Sequence, residues 1–150
     1  MDPDSKIEFK RVLADTDLYE MVKEVRQGYA EDRNESQEWI GVYDHDTAEV
    51  YLLLDDGRPV ASGIIIFTEQ GYMLENITTK TSERGKGYFK VLMKRLEEVC
   101  HLRDPEKQVH LDSYEDTIPL YQKAGYVYEG PVLGQLNWKE FTYHRMVLPK

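Results

Sequence analysis

Apolar positions along the chain change period several times, and each change marks an element. Residues 7–13 read as a short strand. Asp17-Leu18-Tyr19-Glu20 then has the form of a capping box, and Leu18, Met21, Val22, Val25 and Tyr29 follow at helical spacing, which predicts a helix. The polar stretch 31–37 predicts a loop or a helix start, and Trp39, Ile40, Val42 and Tyr43 predict a second short helix. Two β-branched and aromatic runs, 49–54 and 60–67, flank Asp55-Asp56-Gly57-Arg58-Pro59, a hairpin signal. Gln70-Gly71 turns the chain into a third strand over residues 72–79.

From Tyr88 the period lengthens: Phe89, Leu92, Met93, Leu96, Val99 and Cys100 fall on one face of a helix that Asp104-Pro105 ends. Residues 109–111 predict a strand, 115–124 a helix stopped by Gly125, 126–128 another strand and 142–148 a last one. Strand, one or two helices, a three-strand meander, helix, strand, helix and two strands make an α/β domain with a mixed sheet.

Composition narrows this to one domain. The chain has 150 residues, 41% hydrophobic and 31% charged, enough for a single core, and no repeat or linker divides residues 1–150. Twenty-eight acidic against nineteen basic residues leave a net charge of −9. That balance argues against nucleic acid as a partner and suits a cationic one through the long-range field. The single cysteine, Cys100, excludes an intramolecular disulfide and cannot alone hold zinc. The first residues show no signal-peptide pattern, and the longest apolar run, residues 63–67, is too short to cross a membrane, so the expectation is a soluble cytoplasmic protein.

The segment Thr78-Thr79-Lys80-Thr81-Ser82-Glu83-Arg84-Gly85-Lys86-Gly87-Tyr88 carries the clearest chemistry. Gly85 and Gly87 let backbone approach a ligand, amides at a helix start point outward, and the helix dipole favours an anion there. Arg84 and Lys86 add positive charge in an acidic chain, so a phosphate group is the natural ligand; the plain alternative is a tight turn with solvated side chains. No Walker loop is present, because no Gly-Lys-Ser/Thr follows, and Lys90 occupies the third glycine position of a Rossmann fingerprint.

Together with Leu120-Tyr121-Gln122-Lys123-Ala124-Gly125-Tyr126 and the following Glu129-Gly130, this segment resembles the GCN5-related N-acetyltransferase superfamily over most of the chain. The second block is similar to that family's Leu-Tyr-x-x-x-Gly-Phe signature, and the element order matches. The resemblance implies a mixed, mostly antiparallel central sheet of about six to seven strands flanked by about four helices. It implies that Arg84, Gly85, Lys86, Gly87 and Tyr88 hold the pyrophosphate of acetyl-coenzyme A, that backbone at Ile77 and Thr79 pairs with the pantetheine amides, and that Tyr121 is the general acid. The family's loop is often Arg/Gln-x-x-Gly-x-Gly/Ala; here one register puts Ser82 in the basic position and the other puts Phe89 in the final small one. Phe89 also falls on the apolar helix face and is expected to point into the core. Tyr114 stands where many members have Asn, and Thr117 where many have Ala, at positions expected beside the pantetheine arm.

Acetyl transfer to an amine needs a deprotonated nitrogen, a stabilised oxyanion and a proton for the departing thiolate. A primary alkyl amine has a pKa near ~10.4, so a base or a proton-accepting water is required at neutral pH. Glu75, on the strand before the loop, is the first candidate, with Glu69 behind it; the plain alternative is a solvent-facing carboxylate. A thiolate with a pKa near ~8.5 can be protonated by a phenol, which suits Tyr121. A backbone amide within residues 75–77 would meet the oxyanion. Cys100 reads as a packing thiol.

His45, His101, His110 and His144 show no paired ligand spacing, so no metal is assigned; His144 is either a pocket residue or a packed or surface one. Asp44, Asp46 and Glu49, with Glu31, Asp32 and Glu35, lie where the family builds its acceptor wall and read either as recognition of a cation or as a solvated charge run. The expected function is transfer of an acetyl group from acetyl-coenzyme A to a primary amine of a small molecule or protein, directly within a ternary complex. The alternative is a catalytically inactive module that binds the coenzyme. A toxin-type enzyme acting on charged tRNA is disfavoured by the net charge. Monomer and homodimer both remain open.

Overall fold

The computed structural model describes residues 4–14, 16–32, 47–136 and 139–150. The chain runs β1 (Ile7–Val12), α1 (Asp17–Asp32), β2 (Ala48–Asp55), β3 (Arg58–Thr68), β4 (Gly71–Thr79), α2 (Tyr88–Arg103), β5 (Gln108–Ser113), α3 (Ile118–Lys123), β6 (Val127–Leu136) and β7 (Lys139–Leu148). The strands form one seven-stranded sheet in the order β1-β2-β3-β4-β5-β7-β6. All neighbours are antiparallel except β4 and β5, which are parallel. This is the expected mixed α/β sheet, with three α-helices among the described residues. The second short helix expected around Trp39 lies outside them.

Local chemistry explains most boundaries, including those the periodicity misplaced. Asp56 (φ 49°) and Gly57 (φ 78°) form the two-residue turn between β2 and β3, the left-handed pair that matches strand twist. At the start of α1, Thr16 precedes the first helical residue, and its hydroxyl donates to Leu13 O at 2.8 Å, so the expected capping box is not what opens the helix. The single helix expected over 115–124 divides into a 3-10 turn, Glu115–Thr117, and the short α3, because Pro119 is tolerated only in a helix's first turn. β6 and β7 run much further than their apolar runs, since a bulge at Gly130 (φ 147°) lets the ladder continue past Pro131.

Two cores occupy the two faces of the sheet. On one, α2 buries Leu92, Met93, Leu96 and Cys100 against Leu53, Ile65, Leu74, Leu111 and Met146; on the other, α1 buries Val22 and Val25 against Val50, Leu52 and Ile64. Between β3 and β4 the register shifts, so that Gly63 alone stands opposite Asn76 and Ile77, with Asn76 at φ 51°. Gly63 is required for space: a Cβ there would lie 2.9 Å from both Ile77 Cδ1 and Leu96 Cδ1. Gly63→Val is expected to destabilise the fold by about 1–3 kcal/mol through overpacking, measured as a lower midpoint in urea at unchanged slope.

Candidate active site

The β4–β5 ladder ends at Leu74 and Leu111, although both strands continue, to Thr79 and Ser113. Where pairing stops, a cleft of about 880 Å³ opens between them, closed at one end by the start of α2 and along one side by α3. Glu75, Ile77, Thr79, Arg84, Gly85, Gly87, Tyr88, Tyr114 and Tyr121 all line it. Lys86 is the predicted site residue outside that lining: its Nζ is bound to Glu83 Oε2 at 3.0 Å.

The loop before α2 is braced from beneath. Glu83, 6% exposed, accepts from Arg58 Nε at 2.8 Å, and this guanidinium, with the ammonium of the neighbouring Lys86, holds its carboxyl below the ordinary range. Tyr88 points into the core, where its hydroxyl donates to Asp55; burial, then that carboxylate, push its pKa up to about 12. The loop is thereby tied to the β2–β3 turn. α1 closes in from the other side, with Glu24 on Lys80 at 2.6 Å, and with Gly28 so close to Thr81 that a Cβ would lie 1.9 Å from its Oγ1. What remains presented outward is backbone and the exposed Arg84. Gly85 (φ 79°) and Gly87 (φ 93°) have nothing within 4 Å of where a Cβ would stand, and no side chain caps the first turn of α2.

Glu75 stands opposite Ile64 in the ladder, and so on the α1 side of the sheet. Burial raises its pKa above the usual carboxylate range; Arg26, a 3% exposed residue of α1, works against the rise, and Asp112 on β5 adds to it. Asp112 is itself held by Arg145 of β7, whose Nε donates to Oδ1 and whose Nη2 donates to Oδ2 at 3.2 Å. Across the cleft, Tyr121 of α3 sits between two rings, edge-on to Phe89 at 5.6 Å and to Tyr126 at 6.1 Å. Tyr126 is anchored to α2 by its hydroxyl, which donates to Glu97 Oε2 at 2.9 Å. Phe89 is therefore half-buried at the cleft wall and not wholly within the core as its place on the apolar stripe suggested; the gap between α2 and α3 draws it aside to Tyr121.

The sequence matches the acetyltransferase (GNAT) family over residues 16–126. The chain belongs to that family. Among solved structures, Escherichia coli ElaA superposes with a TM-score of 0.74 at 17% identity, over 96% of this chain and 100% of the other. A variant of the spermidine N-acetyltransferase SpeG from Vibrio cholerae gives a TM-score of 0.72 at 13% identity, covering 95% and 92%. An aminoglycoside 6'-N-acetyltransferase complexed with coenzyme A gives 0.72 at 13% identity, covering 95% and 98%. No curated protein sequence matches this chain.

Several candidates fall outside the cleft of this acetyltransferase. Glu49, read within an acidic run, is a buried β2 residue clamped by Arg11 and Arg103, each at 3.0 Å, with the Tyr51 hydroxyl donating to it at 2.9 Å. Glu69 is exposed at the β3–β4 turn. Asp44, Asp46, Glu35 and His45 lie outside the described residues. His144 pairs through Nδ1 with the Tyr128 hydroxyl at 3.0 Å. Cys100 is buried, and desolvation pushes its thiol up to about 12. Among the described residues no group of three His, Cys, Asp or Glu gathers as a metal site, and no helix is long and apolar enough to cross a membrane.

Sequence reasoning passed over Arg26, Asp112 and Arg145, the charges around Glu75. Arg26 had a signal: it directly follows Val25 within the apolar stripe of α1, where a solvated arginine does not belong. Asp112 and Arg145 had none, since only the β5–β7 register makes them opposite. The raised Glu75 pKa means the folded protein holds that proton more tightly than the unfolded chain. Its contribution favours folding at low pH and is lost as pH rises through the folded value. Glu75→Gln is therefore expected to raise Tm at pH 7, with the gain shrinking as the buffer approaches pH about 4.

Proposed function

We propose that this GNAT acetyltransferase uses acetyl-coenzyme A to acetylate a primary amine by direct transfer in a ternary complex. The observation that carries the reading is the broken β4–β5 ladder. It opens a cleft beside an uncapped helix start, with a partly desolvated carboxyl on one wall and a phenol on another. The donor fits the residues present. The space above Gly85 and Gly87, the free first-turn amides of α2 and the cleft-lining Arg84 suit a pyrophosphate, and the β5-facing edge of β4 beyond Leu74 has no ladder partner to compete with an amide-bearing arm.

When bound, acetyl-coenzyme A supplies an activated acyl carbon for the amine to attack and a thiolate that departs. In this reading Arg84 and the amides of Gly85, Gly87 and Tyr88 hold the pyrophosphate. Lys86, already engaged by Glu83, contributes through its backbone. Ile77 and Thr79 orient the arm by backbone pairing, and an amide within residues 75–77 faces the developing oxyanion. A carboxylate oxygen of Glu75 takes the amine proton; its raised pKa narrows the gap to the ammonium it must deprotonate. The Tyr121 hydroxyl delivers a proton to the leaving sulfur. Cys100, buried and held as a thiol, has no part, which favours direct transfer over a covalent relay.

Thiol release from acetyl-coenzyme A in the presence of an amine panel tests the activity. Coenzyme binding without release on any amine would replace it with a binding module. Tyr121→Phe is expected to lower kcat about a hundredfold with little change in coenzyme affinity. Arg84→Glu is expected to weaken coenzyme A binding tenfold or more by calorimetry, since it reverses a charge-assisted contact of about 1.5–3 kcal/mol.

A further inference from the structure

We propose that Tyr114, Phe141 and Tyr143 form an acceptor wall that selects an amine with a single positive charge carried on a flat apolar group, in preference to a polycation. The inference rests on the acetyl-transfer reading above and specifies its second substrate.

The three rings make one platform. Tyr114 and Phe141 lie 5.6 Å apart at 71°, Phe141 and Tyr143 4.9 Å at 62°, and Tyr114 and Tyr143 5.7 Å at 51°. Tyr114 and Tyr143 line the cleft. The Tyr143 ring is fixed at both ends. Its hydroxyl donates to Gln135 O at 3.0 Å, and its edge fills the space that Gly134 leaves, where a Cβ would lie 2.7 Å from Cε2. A pre-set aromatic surface loses little entropy when a flat group settles on it, and ring faces attract a lone ammonium.

Register puts this platform on the side of the carboxyl that takes the amine proton. Asp112 stands opposite Arg145 across β5 and β7, Tyr143 is two residues along from Arg145, and strand alternation gives all three one face. That face is the one Glu75 occupies, since Leu74 pairs with Leu111 and the next residues, Glu75 and Asp112, alternate to the same side. Tyr114, a position first read as part of the pantetheine contact, thereby turns its ring to Phe141 and Tyr143.

Two of the carboxylates nearby have a cation beside them. Among the described residues, Arg145 is bonded to Asp112, and the buried Arg26 acts on Glu75, while Asp116 sits at the exposed rim of the cleft. One ammonium can exchange its proton with Glu75 beside the rings. Each further ammonium would have to be desolvated beside Asp112, which Arg145 already holds, and near the buried cation of Arg26, which penalises a polyamine.

Calorimetry on the coenzyme A-bound protein with phenethylamine, hexylamine and spermidine tests this without requiring turnover. Phenethylamine is expected to bind about fivefold to tenfold more tightly than either of the others. Tyr143→Leu should reduce it to the level of hexylamine, while Tyr143→Phe, which keeps the ring, retains the preference. Spermidine binding as tightly as phenethylamine, a preference that survives Tyr143→Leu, or no amine binding at all would overturn the proposal. Failure of coenzyme A to bind would instead strike the acetyl-transfer reading, and the same amine titrations on the free protein would still decide the role of the rings.

Discussion

The molecule depends on the point at which two parallel strands stop pairing. β4 and β5 share a ladder from Gly71 to Leu74 on one strand and from Gln108 to Leu111 on the other, and then separate while both continue. A continuous ladder would have filled the space with backbone hydrogen bonds and left a sheet with no interior. The separation leaves an edge within the sheet, which a protein normally protects. Here that edge faces a cleft bounded by the start of α2, by α3 and by the β6–β7 hairpin. The bulge at Asn76 and Ile77 re-aims β4 at this place, and Gly63 makes the bulge sterically possible.

The second constraint is electrostatic. An acidic chain leaves open backbone at Gly85 and Gly87 before α2, and it spends side-chain charge underneath. Arg58, Glu83 and Lys86 lock the loop, and Tyr88 and Asp55 lock the helix start behind it. In the proposed reading, the attraction for the pyrophosphate then falls to Arg84 and to helix amides whose direction the fold sets. On the opposite side, Arg26 acts on Glu75 and Arg145 holds Asp112, so among the described residues a strongly negative protein sets cations beside two of the carboxylates of the cleft. Net charge described the field around the molecule and said little about the pocket.

The parts of the fold that were legible in the residues are those governed by local rules. The Asp56-Gly57 turn, the period change at Tyr88, the glycines of the loop and the spacing from Tyr121 to Gly125 each carry their own structural requirement. The misplaced boundaries were places where a neighbour decides. Thr16 rather than Asp17 precedes α1, Pro119 splits a helical run, and β6 continues through Gly130 and Pro131 because β7 supplies the ladder. Phe89 followed its periodicity only in part, since a ring at the rim of a helix face goes where α3 offers a contact.

The sequence alone determined the class of the protein, because turn glycines, strand and helix periods and the two signature blocks are properties of short segments. It also determined Glu75, Arg84 and Tyr121 as candidates, since each belongs to such a segment. Only the tertiary structure decided their surroundings: that Lys86 is engaged by Glu83, that Glu49 is a buried clamp, and that Asp112 meets Arg145. Tyr114 joining rings 27 and 29 residues away belongs with these; Asp112 meets Arg145 through the β5–β7 register, and the Glu49 clamp and the ring cluster join residues far apart in the chain, which no local pattern encodes.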